Sequence, residues 1–240
     1  IYDVLFPAQV LLDTDRFIRE FLASSGLDRP ISTADLHYEL GRHLLKVRPG
    51  CEQYSVVARA AKCGVPIYTS SPGDSSIGMN IAYHELINGS GLLLNPNKDV
   101  NEVCAIILAA EKNGCVILGG GSPKNFYLQG QPTLWEVYGI PKGGNDYFIQ
   151  ITTDSVVWGG LSGATPAEAV SWGKVNAGVL PDTVVAYCDS TIAFPLFCEY
   201  VVGHKNGRRT RKRLVHRRVE LVADLETQAR RRIARRPQAR

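Results

Sequence analysis

Apolar residues recur along this chain in two different rhythms, and the change between them falls near residue 65. Before it, apolar side chains follow a helical period. We expect a first helix to open at residues 13–15, a second to be capped by Ser32, and a third to cover residues 52–61. The pattern predicts an N-terminal helical region.

After residue 65, short apolar runs alternate with helical stretches, of which the clearest is 99–113. Continuous apolar strands that alternate with helices are typical of a parallel sheet covered on both faces. The predicted fold class is therefore α/β, a Rossmann-like parallel sheet with helices on both faces. The predicted strands are 65–68, 92–94, 116–118, 147–151 and 184–187.

The C-terminal segment has a different composition from the rest. Residues 203–240 hold 14 of the 27 basic and 3 of the 23 acidic residues, so the remainder is acidic although the net charge is +4. We expect one domain over 1–202 and a basic C-terminal helix or tail over 203–240. The tail's apolar residues keep a helical period, at Leu214, Val215, Val219, Val222, Leu225 and Ala229. The basic cluster 208–218 raises nucleic-acid binding as an alternative, but no aromatic residues interleave with the arginines, which favours a solvated or subunit-packing face.

Composition narrows the class of protein. The chain has 240 residues, 45% of them hydrophobic and 21% charged, which is ordinary for a globular domain, and no apolar run approaches membrane-spanning length. Six scattered cysteines without a CxxC spacing indicate free thiols and a cytoplasmic location. His37 and His43 do not share a helix face, so no metal site is expected. The chain begins at Ile1 and its one methionine is Met79, so we expect a processed start or a fragment.

The stretch 159–175, GGLSGATPAEAVSWGKV, carries the clearest candidate chemistry. Thr165 is a predicted N-cap with Pro166 and Glu168 in the first turn, and Gly173 is a predicted helix end. Lys174 follows beside the indole of Trp172. Desolvation there would lower the lysine pKa and favour a nucleophilic neutral amine, whereas the alternative is a surface lysine that offsets the helix dipole.

Polar clusters follow the predicted strands at their carboxyl ends, at 70–76, 119–124, 152–163 and 189–191. Each cluster alone is typical of a turn or cap, but open α/β sheets bind ligands in this crevice. The run Gly119-Gly120-Gly121 would let backbone approach a bulky ligand such as a dinucleotide, although it is not a G-x-G-x-x-G fingerprint.

The run EAVSWGK resembles the active-site segment of the deoxyhypusine synthase family. The runs SPGDSSIG (71–78), LGGGSPK (118–124) and DSTIAFP (189–195) resemble that family in the same order, and the resemblance covers roughly residues 1–202. It implies that Lys174 is the catalytic nucleophile. It places NAD contacts at Asp74, Gly120, Thr153, Asp154, Asp189 and Ser190, and amine contacts at Asn125, Gly159, Gly160, Leu161, Ser162, Glu168 and Trp172.

The resemblance also implies a reaction and an assembly. NAD would take a hydride from spermidine, Lys174 would hold the 4-aminobutyl group as an imine, and an acceptor amine would receive it. That acceptor would be a protein lysine or, alternatively, a free diamine such as putrescine, as in homospermidine synthesis. The family forms homotetramers, and its upstream segment, which supplies part of the NAD site, has no equivalent here.

Four positions depart from the family's pattern. Met79 and Leu161 replace acidic residues, Asn125 replaces a histidine and Gln150 replaces a tyrosine. This combination resembles the bacterial deoxyhypusine-synthase-like branch, and it leaves open whether spermidine is the amine substrate. An inactive truncated homologue and a basic-tailed nucleic-acid-binding protein are the other classes left open.

Overall fold

The computed structural model describes residues 5–204 and 212–234, which form two compact units. One unit runs to Asp99 and includes Arg213–Val215; the other contains Val100–Lys212 and the segment from His216 onward. The first part of the basic cluster 208–218 that raised nucleic-acid binding, residues 208–211, lies outside the described residues. No helix in the described part is long and apolar enough to cross a membrane.

The first unit is built mainly of helices, as predicted. Its elements are α1 (Ala8–Ser24), β1 (Pro30–Ile31), α2 (Thr33–Val47), a 3-10 turn (Cys51–Gln53), α3 (Val56–Cys63), α4 (Ser76–Asn88) and β2 (Leu93–Leu94). The core of this unit joins apolar residues of α1, α2 and α4, including Phe21, Leu22 and Leu36. Strands β1 and β2 pair in parallel, Pro30 with Leu93 and Ile31 with Leu94.

Several predicted boundaries in this unit were wrong. The first helix begins at Ala8, directly after Pro7, and Asp13 lies inside it, where it pairs with Arg16 on the exposed face. The third helix is interrupted at Ser55, whose hydroxyl accepts the N–H of Ala58 and starts α3. The prediction that Ser32 caps the second helix is confirmed, since its side chain accepts the N–H of Asp35 at the start of α2.

The predicted strand 65–68 does not form a strand in the structure. Pro66 has no N–H to donate to a ladder. Side chains satisfy nearby backbone groups instead, since the ring of His37 bonds to the backbone of Ile67 and the hydroxyl of Thr33 accepts the N–H of Thr69. An apolar run that lacks a donor and whose backbone is engaged by side chains does not join a sheet.

Helix α5 (Pro96–Ala109) begins and ends earlier than predicted. The other elements of the second unit are β3 (Gly114–Leu118), α6 (Ser122–Leu128), α7 (Gly130–Pro132), a π turn (Thr133–Val137), β4 (Tyr147–Thr152), a 3-10 turn (Val156–Trp158), α8 (Pro166–Ser171), a 3-10 turn (Ala177–Asp182), β5 (Thr183–Tyr187), α9 (Ser190–Gly203) and α10 (Arg218–Ala234). A 3-10 turn (Leu214–Arg217) is divided between the two units. The strands of the second unit form the parallel sheet β3-β4-β5, in which Val116 pairs with Ile149 and Ile149 with Val184.

The predicted fold class, mixed α/β with parallel strands, is confirmed. One face of the three-stranded sheet packs under α6 and α8 through Ile117, Phe148, Leu128 and Ala169. The described strands form two separate parallel sheets rather than one.

The predicted amphipathic C-terminal helix exists as α10. Its buried positions are Arg218, Leu221, Leu225 and Ala229. Arg218 forms a buried ion pair with Glu102 at 2.7 Å. The inclusion of Val219 on the buried face was wrong, because that side chain is exposed. The phase of the helix is set by Arg218 and Leu221, which face inward.

Candidate functional site

Helix α8 forms as its sequence predicts. The hydroxyl of Thr165 accepts the N–H of Glu168 at 3.2 Å, and Pro166 occupies the first turn. Gly173 has a φ of 66°, and its N–H donates to Val170 O. Any side chain at this position would be strained by that φ, and a Cβ would lie 2.8 Å from Nε1 of Trp135. Glycine is therefore required at the end of α8.

The backbone of Lys174 is fixed on both sides. Its N–H donates to Ala169 O at 2.9 Å, which closes the helix with a left-handed cap. Its carbonyl accepts both the N–H and the Nδ2 of Asn145, each at 3.0 Å, while Tyr127 donates its hydroxyl to Asn145 Oδ1. Asn145 is fully buried, so the start of the Lys174 side chain is held in one place.

The Lys174 amine points into a cavity of about 240 Å³. Nζ donates to Asn125 Oδ1 at 2.8 Å and lies 5.6 Å from the ring centre of Trp172. Burial lowers the pKa of this lysine, and the negative charge of Glu168 opposes that shift. Lowering the pKa of an amine increases its neutral, nucleophilic fraction.

The cavity brings five predicted site residues together: Lys174, Asn125, Leu161, Glu168 and Trp172. Its wall is completed by side chains that our sequence analysis did not assign to the site. These are Lys124, Leu128, Gln129, Ala164, Thr165 and Ala169. Leu161 contributes an apolar wall where the family resemblance implied a carboxylate.

The other predicted amine-site residues belong to the loop that follows β4. Gly159 and Gly160 are exposed, and Ser162 packs against Gly120, whose Cβ, if present, would lie 2.6 Å from Ser162 Cα. Gln150 is 1% exposed and donates Nε2 to the carbonyls of Gly119 and Ser162. The loop is thereby tied to the glycine run that follows β3.

Three predicted cofactor clusters meet at one edge of the three-stranded sheet. The pairs Leu118–Ile151 and Thr152–Tyr187 place the carboxyl ends of β3, β4 and β5 side by side. Gly119 and Gly121 have positive φ values and no heavy atom within 4 Å of a built Cβ, except Ser162 Oγ at 4.0 Å from that of Gly121. Such open backbone can contact a flat or phosphorylated ligand.

The carboxylates near this edge also serve the protein itself. Asp189 Oδ1 accepts the N–H and hydroxyl of Thr191, which caps α9 and lowers the pKa of Asp189. Ser190 is the first residue of α9. Asp154 Oδ1 accepts the N–H of Ser155, and Thr153 is exposed beside it. In each of the two aspartates, Oδ1 accepts a hydrogen bond from the protein itself. Carboxylates and hydroxyl groups of this kind suit a ligand that carries hydroxyl groups.

Asp74 and Met79 lie in the other unit, Asp74 exposed just before α4 and Met79 exposed within it. The expectation that Asp74 and Asp189 face one crevice stays a prediction. No group of three His, Cys, Asp or Glu side chains in the described residues is placed to hold a metal ion.

The most informative residue that sequence analysis missed is Lys124. Its Nζ donates to Gln150 Oε1 at 3.0 Å and to Ala164 O at 2.7 Å, and the residue is 7% exposed. One signal was available: Lys124 lies in the first turn of α6, where the helix dipole disfavours a cation. A lysine at such a position is therefore expected to make a contact that compensates for the unfavourable helix dipole.

Comparison with known proteins adds independent evidence. The family model for deoxyhypusine synthase matches residues 1–201. Deoxyhypusine synthase-like proteins of Nostoc sp. and Thermosynechococcus vestitus are 51% and 50% identical over 233 and 235 residues, which is 95% and 94% of this chain. The chain spans only 60% and 58% of the length of these two relatives.

More distant relatives agree. A Methanosarcina acetivorans protein named probable deoxyhypusine synthase 2 is 37% identical over 196 residues, covering 82% of this chain and 55% of that protein. The crystal structure of an Entamoeba histolytica protein assigned to deoxyhypusine synthase superposes with a TM-score of 0.59 at 17% identity, covering 85% of this chain and 59% of that one. At that identity the likeness concerns the fold alone.

Proposed function

Since the chain belongs to the deoxyhypusine synthase family, we propose that it carries the amine-transfer site of an NAD-dependent aminobutyltransferase, with Lys174 as the nucleophile. One observation carries the proposal: the Lys174 amine lies in a cavity, bonded to Asn125, with its pKa lowered by burial. Because the chain spans about three-fifths of its cyanobacterial relatives, the whole reaction is proposed for the whole protein.

Each lining residue has a chemical task in this proposal. The Lys174 amine attacks the imine carbon of an oxidised polyamine, a new C–N bond forms, and the diaminopropane nitrogen leaves with its electron pair and a proton. Asn125 orients the attacking amine through its carbonyl oxygen. Glu168 and the indole face of Trp172 offer a carboxylate and a cation–π contact to the cationic end of the substrate.

The cofactor in this proposal is NAD, which when bound supplies a hydride acceptor for the polyamine carbon and later returns the hydride. The residues proposed to hold it are the open backbone of Gly119 and Gly121, Gly120 between them, and the carboxylates of Asp154 and Asp189. Thr153 and Ser190 complete the proposed set, and Asp74 stays a prediction of the family resemblance. The proposal extends to a homotetramer in a reducing cytoplasm, which is in keeping with six free cysteines.

The experiment is reductive trapping. The protein is incubated with NAD and spermidine, treated with borohydride, and its peptides are weighed by mass spectrometry. We expect an aminobutyl adduct on the peptide that contains Lys174, lost in Lys174→Arg and kept in Lys112→Arg, which alters an exposed lysine of the same unit. Product analysis with putrescine added as acceptor distinguishes a free diamine from a protein lysine. An adduct that persists undiminished in Lys174→Arg would overturn the proposal.

A further inference from the structure

One buried side chain joins the glycine run 119–121 to the loop 159–164. Gln150 lies in β4 and is 1% exposed. Its Nε2 donates to Gly119 O at 2.8 Å and to Ser162 O at 2.7 Å. Since an amide nitrogen carries two hydrogens, both are used, one for each loop.

The oxygen of the same amide completes the network. Lys124, in α6, donates its Nζ to Gln150 Oε1 at 3.0 Å and to Ala164 O at 2.7 Å. The orientation of the amide is fixed, because the backbone carbonyls can only accept and the lysine amine donates. Four hydrogen bonds thus join β4, α6 and both loops at one buried point.

Packing holds the two loops equally close. A Cβ on Gly120 would lie 2.6 Å from Ser162 Cα, so only glycine allows this approach. The loop 159–164 is itself compact, since the N–H of Gly163 donates to Gly160 O at 3.1 Å. Displacing either loop would separate buried polar groups from their partners, which is unfavourable. We therefore expect the two loops to keep or lose their positions together.

The double contact depends on glutamine. The family pattern has a tyrosine at the position of Gln150. A tyrosine hydroxyl carries one hydrogen and can donate to one carbonyl, whereas the amide of glutamine donates to two at once. The connection between the loops is therefore a feature of this chain rather than of that pattern.

We propose that Gln150 is a positioning residue that makes the glycine run and the loop 159–164 order as one unit, so that a ligand held by one loop stabilises the other. Gly119 and Gly121 present open backbone, whereas Leu161 and Ala164 line the cavity. Under the proposed function the two ligands are NAD and the amine, and each would strengthen the binding of the other. That consequence rests on the proposed function, but the coupling of the loops does not.

The test perturbs one loop and observes the other, with no ligand present. Gly119→Ala strains the glycine run, where φ is 71°, and Gly159→Ala strains the other loop, where φ is 69°; neither added Cβ meets a heavy atom within 4 Å. Hydrogen–deuterium exchange reports the opening of peptides 118–122 and 159–164. With Gln150 present, each substitution should accelerate exchange in both peptides about five- to thirtyfold, the factor that about 1–2 kcal/mol of backbone strain gives.

The same substitutions are then made in backgrounds that lack the amide. Gln150→Met keeps the length of the side chain but donates nothing, so each glycine substitution should accelerate exchange in its own loop only. Gln150→Glu is the second variant should Gln150→Met fail to fold, because it still accepts from Lys124 but cannot donate to Gly119 and Ser162 at once. Lys124→Met is the matched control, since it also loses buried hydrogen bonds but leaves both donated bonds of Gln150, and it should retain the coupling.

A Gln150 that only stabilises the fold would give a different result. Its variants would unfold at lower temperature, yet each loop would still respond to the substitution in the other as it does in the wild type. That outcome, or loops that respond independently in the wild type, would overturn the inference. Because the exchange experiment requires neither NAD nor a polyamine, failure of the proposed reaction would leave its result unchanged, and the two ideas fail separately.

Discussion

Helices α2 and α8 begin with the same local pattern and use it differently. Each opens on a hydroxyl cap followed three residues later by an acid. In α2 the bonding is reciprocal: Ser32 Oγ accepts the N–H of Asp35, and the Asp35 carboxylate accepts the N–H of Ser32. In α8 Thr165 caps Glu168, but the Glu168 carboxylate is exposed and lines the cavity. One acid completes a helix, and the other faces a place where a ligand can reach it.

The titratable groups on or next to α2 and α8 differ in the same way, in whether another molecule can reach them. His37 in α2 is 8% exposed, its Nδ1 lies 2.7 Å from Thr33 O, and burial lowers its pKa. Burial also lowers the pKa of Lys174, but that amine opens onto a cavity. A perturbed pKa therefore indicates function only where the group can meet another molecule.

The largest effect is expected from exchanging the two acids for amides. Glu168→Gln should weaken spermidine binding about ten- to hundredfold, because a charge-assisted hydrogen bond contributes about 1.5–3 kcal/mol. Asp35→Asn should leave binding unchanged and lower the unfolding free energy by about 1 kcal/mol. Calorimetric titration with NAD present and urea denaturation report the two quantities. If Glu168→Gln binds spermidine as tightly as the wild type, the proposed difference between Glu168 and Asp35 is wrong.

The next effect concerns the glycine that ends α8. Gly26 and Gly173 have φ values of 67° and 66°, but a Cβ at Gly26 meets nothing within 4 Å, whereas one at Gly173 meets Trp135. Gly26→Ala should lower the unfolding free energy by about 1 kcal/mol through backbone strain alone. Gly173→Ala should lower it by about 2–3 kcal/mol, since overpacking adds to that strain. If both variants lose the same unfolding free energy, the Trp135 side chain moves aside without an energetic cost.

A carboxylate can also be added to the cavity. Leu161 lies where the family resemblance implied an acid, so Leu161→Asp should strengthen spermidine binding about tenfold. This is the lower end expected for a charge-assisted hydrogen bond, because Leu161 is half-exposed. Leu161→Asn reproduces the shape without the charge and should give little gain. If wild type already binds at micromolar concentrations and the added acid weakens binding, another group holds the amine.

The smallest effect is a pH dependence of stability from His37. Because its folded pKa lies below the ordinary 6.5, the unfolded chain takes up the proton first as the pH falls. Stability should therefore decrease as the pH drops below about 6.5. His37→Gln should flatten this dependence, and His204→Gln, at the exposed end of α9, should retain it.

The parts of the molecule that sequence analysis predicted are those that local chemistry determines. The caps of α2 and α8 and the left-handed Gly173 depend on residues within a few positions of one another, so they could be anticipated. The strand expected at 65–68 could not be distinguished from a segment outside any sheet. Thr33 and His37, some thirty positions earlier, bond to the backbone of Thr69 and Ile67.

The site itself divides in the same way. Lys174, Glu168 and Trp172 lie within one short motif and were found. Lys124 and Asn145 were not assigned, because their tasks depend on contacts with Gln150 and with the Lys174 carbonyl that arise only when β4, α6 and α8 are brought together. The spacing of these residues along the chain does not predict these contacts.

Two buried cysteines, one in each unit, can report the local unfolding of the unit that contains them. Cys51 is 2% exposed in one unit, and Cys104 is fully buried in the other, where burial raises its pKa to about 12. Alkylating reagents attack the exposed thiolate, so neither thiol can react while its surroundings stay closed. The rates at which the two are alkylated would time the local unfolding of each unit separately, without a label being introduced.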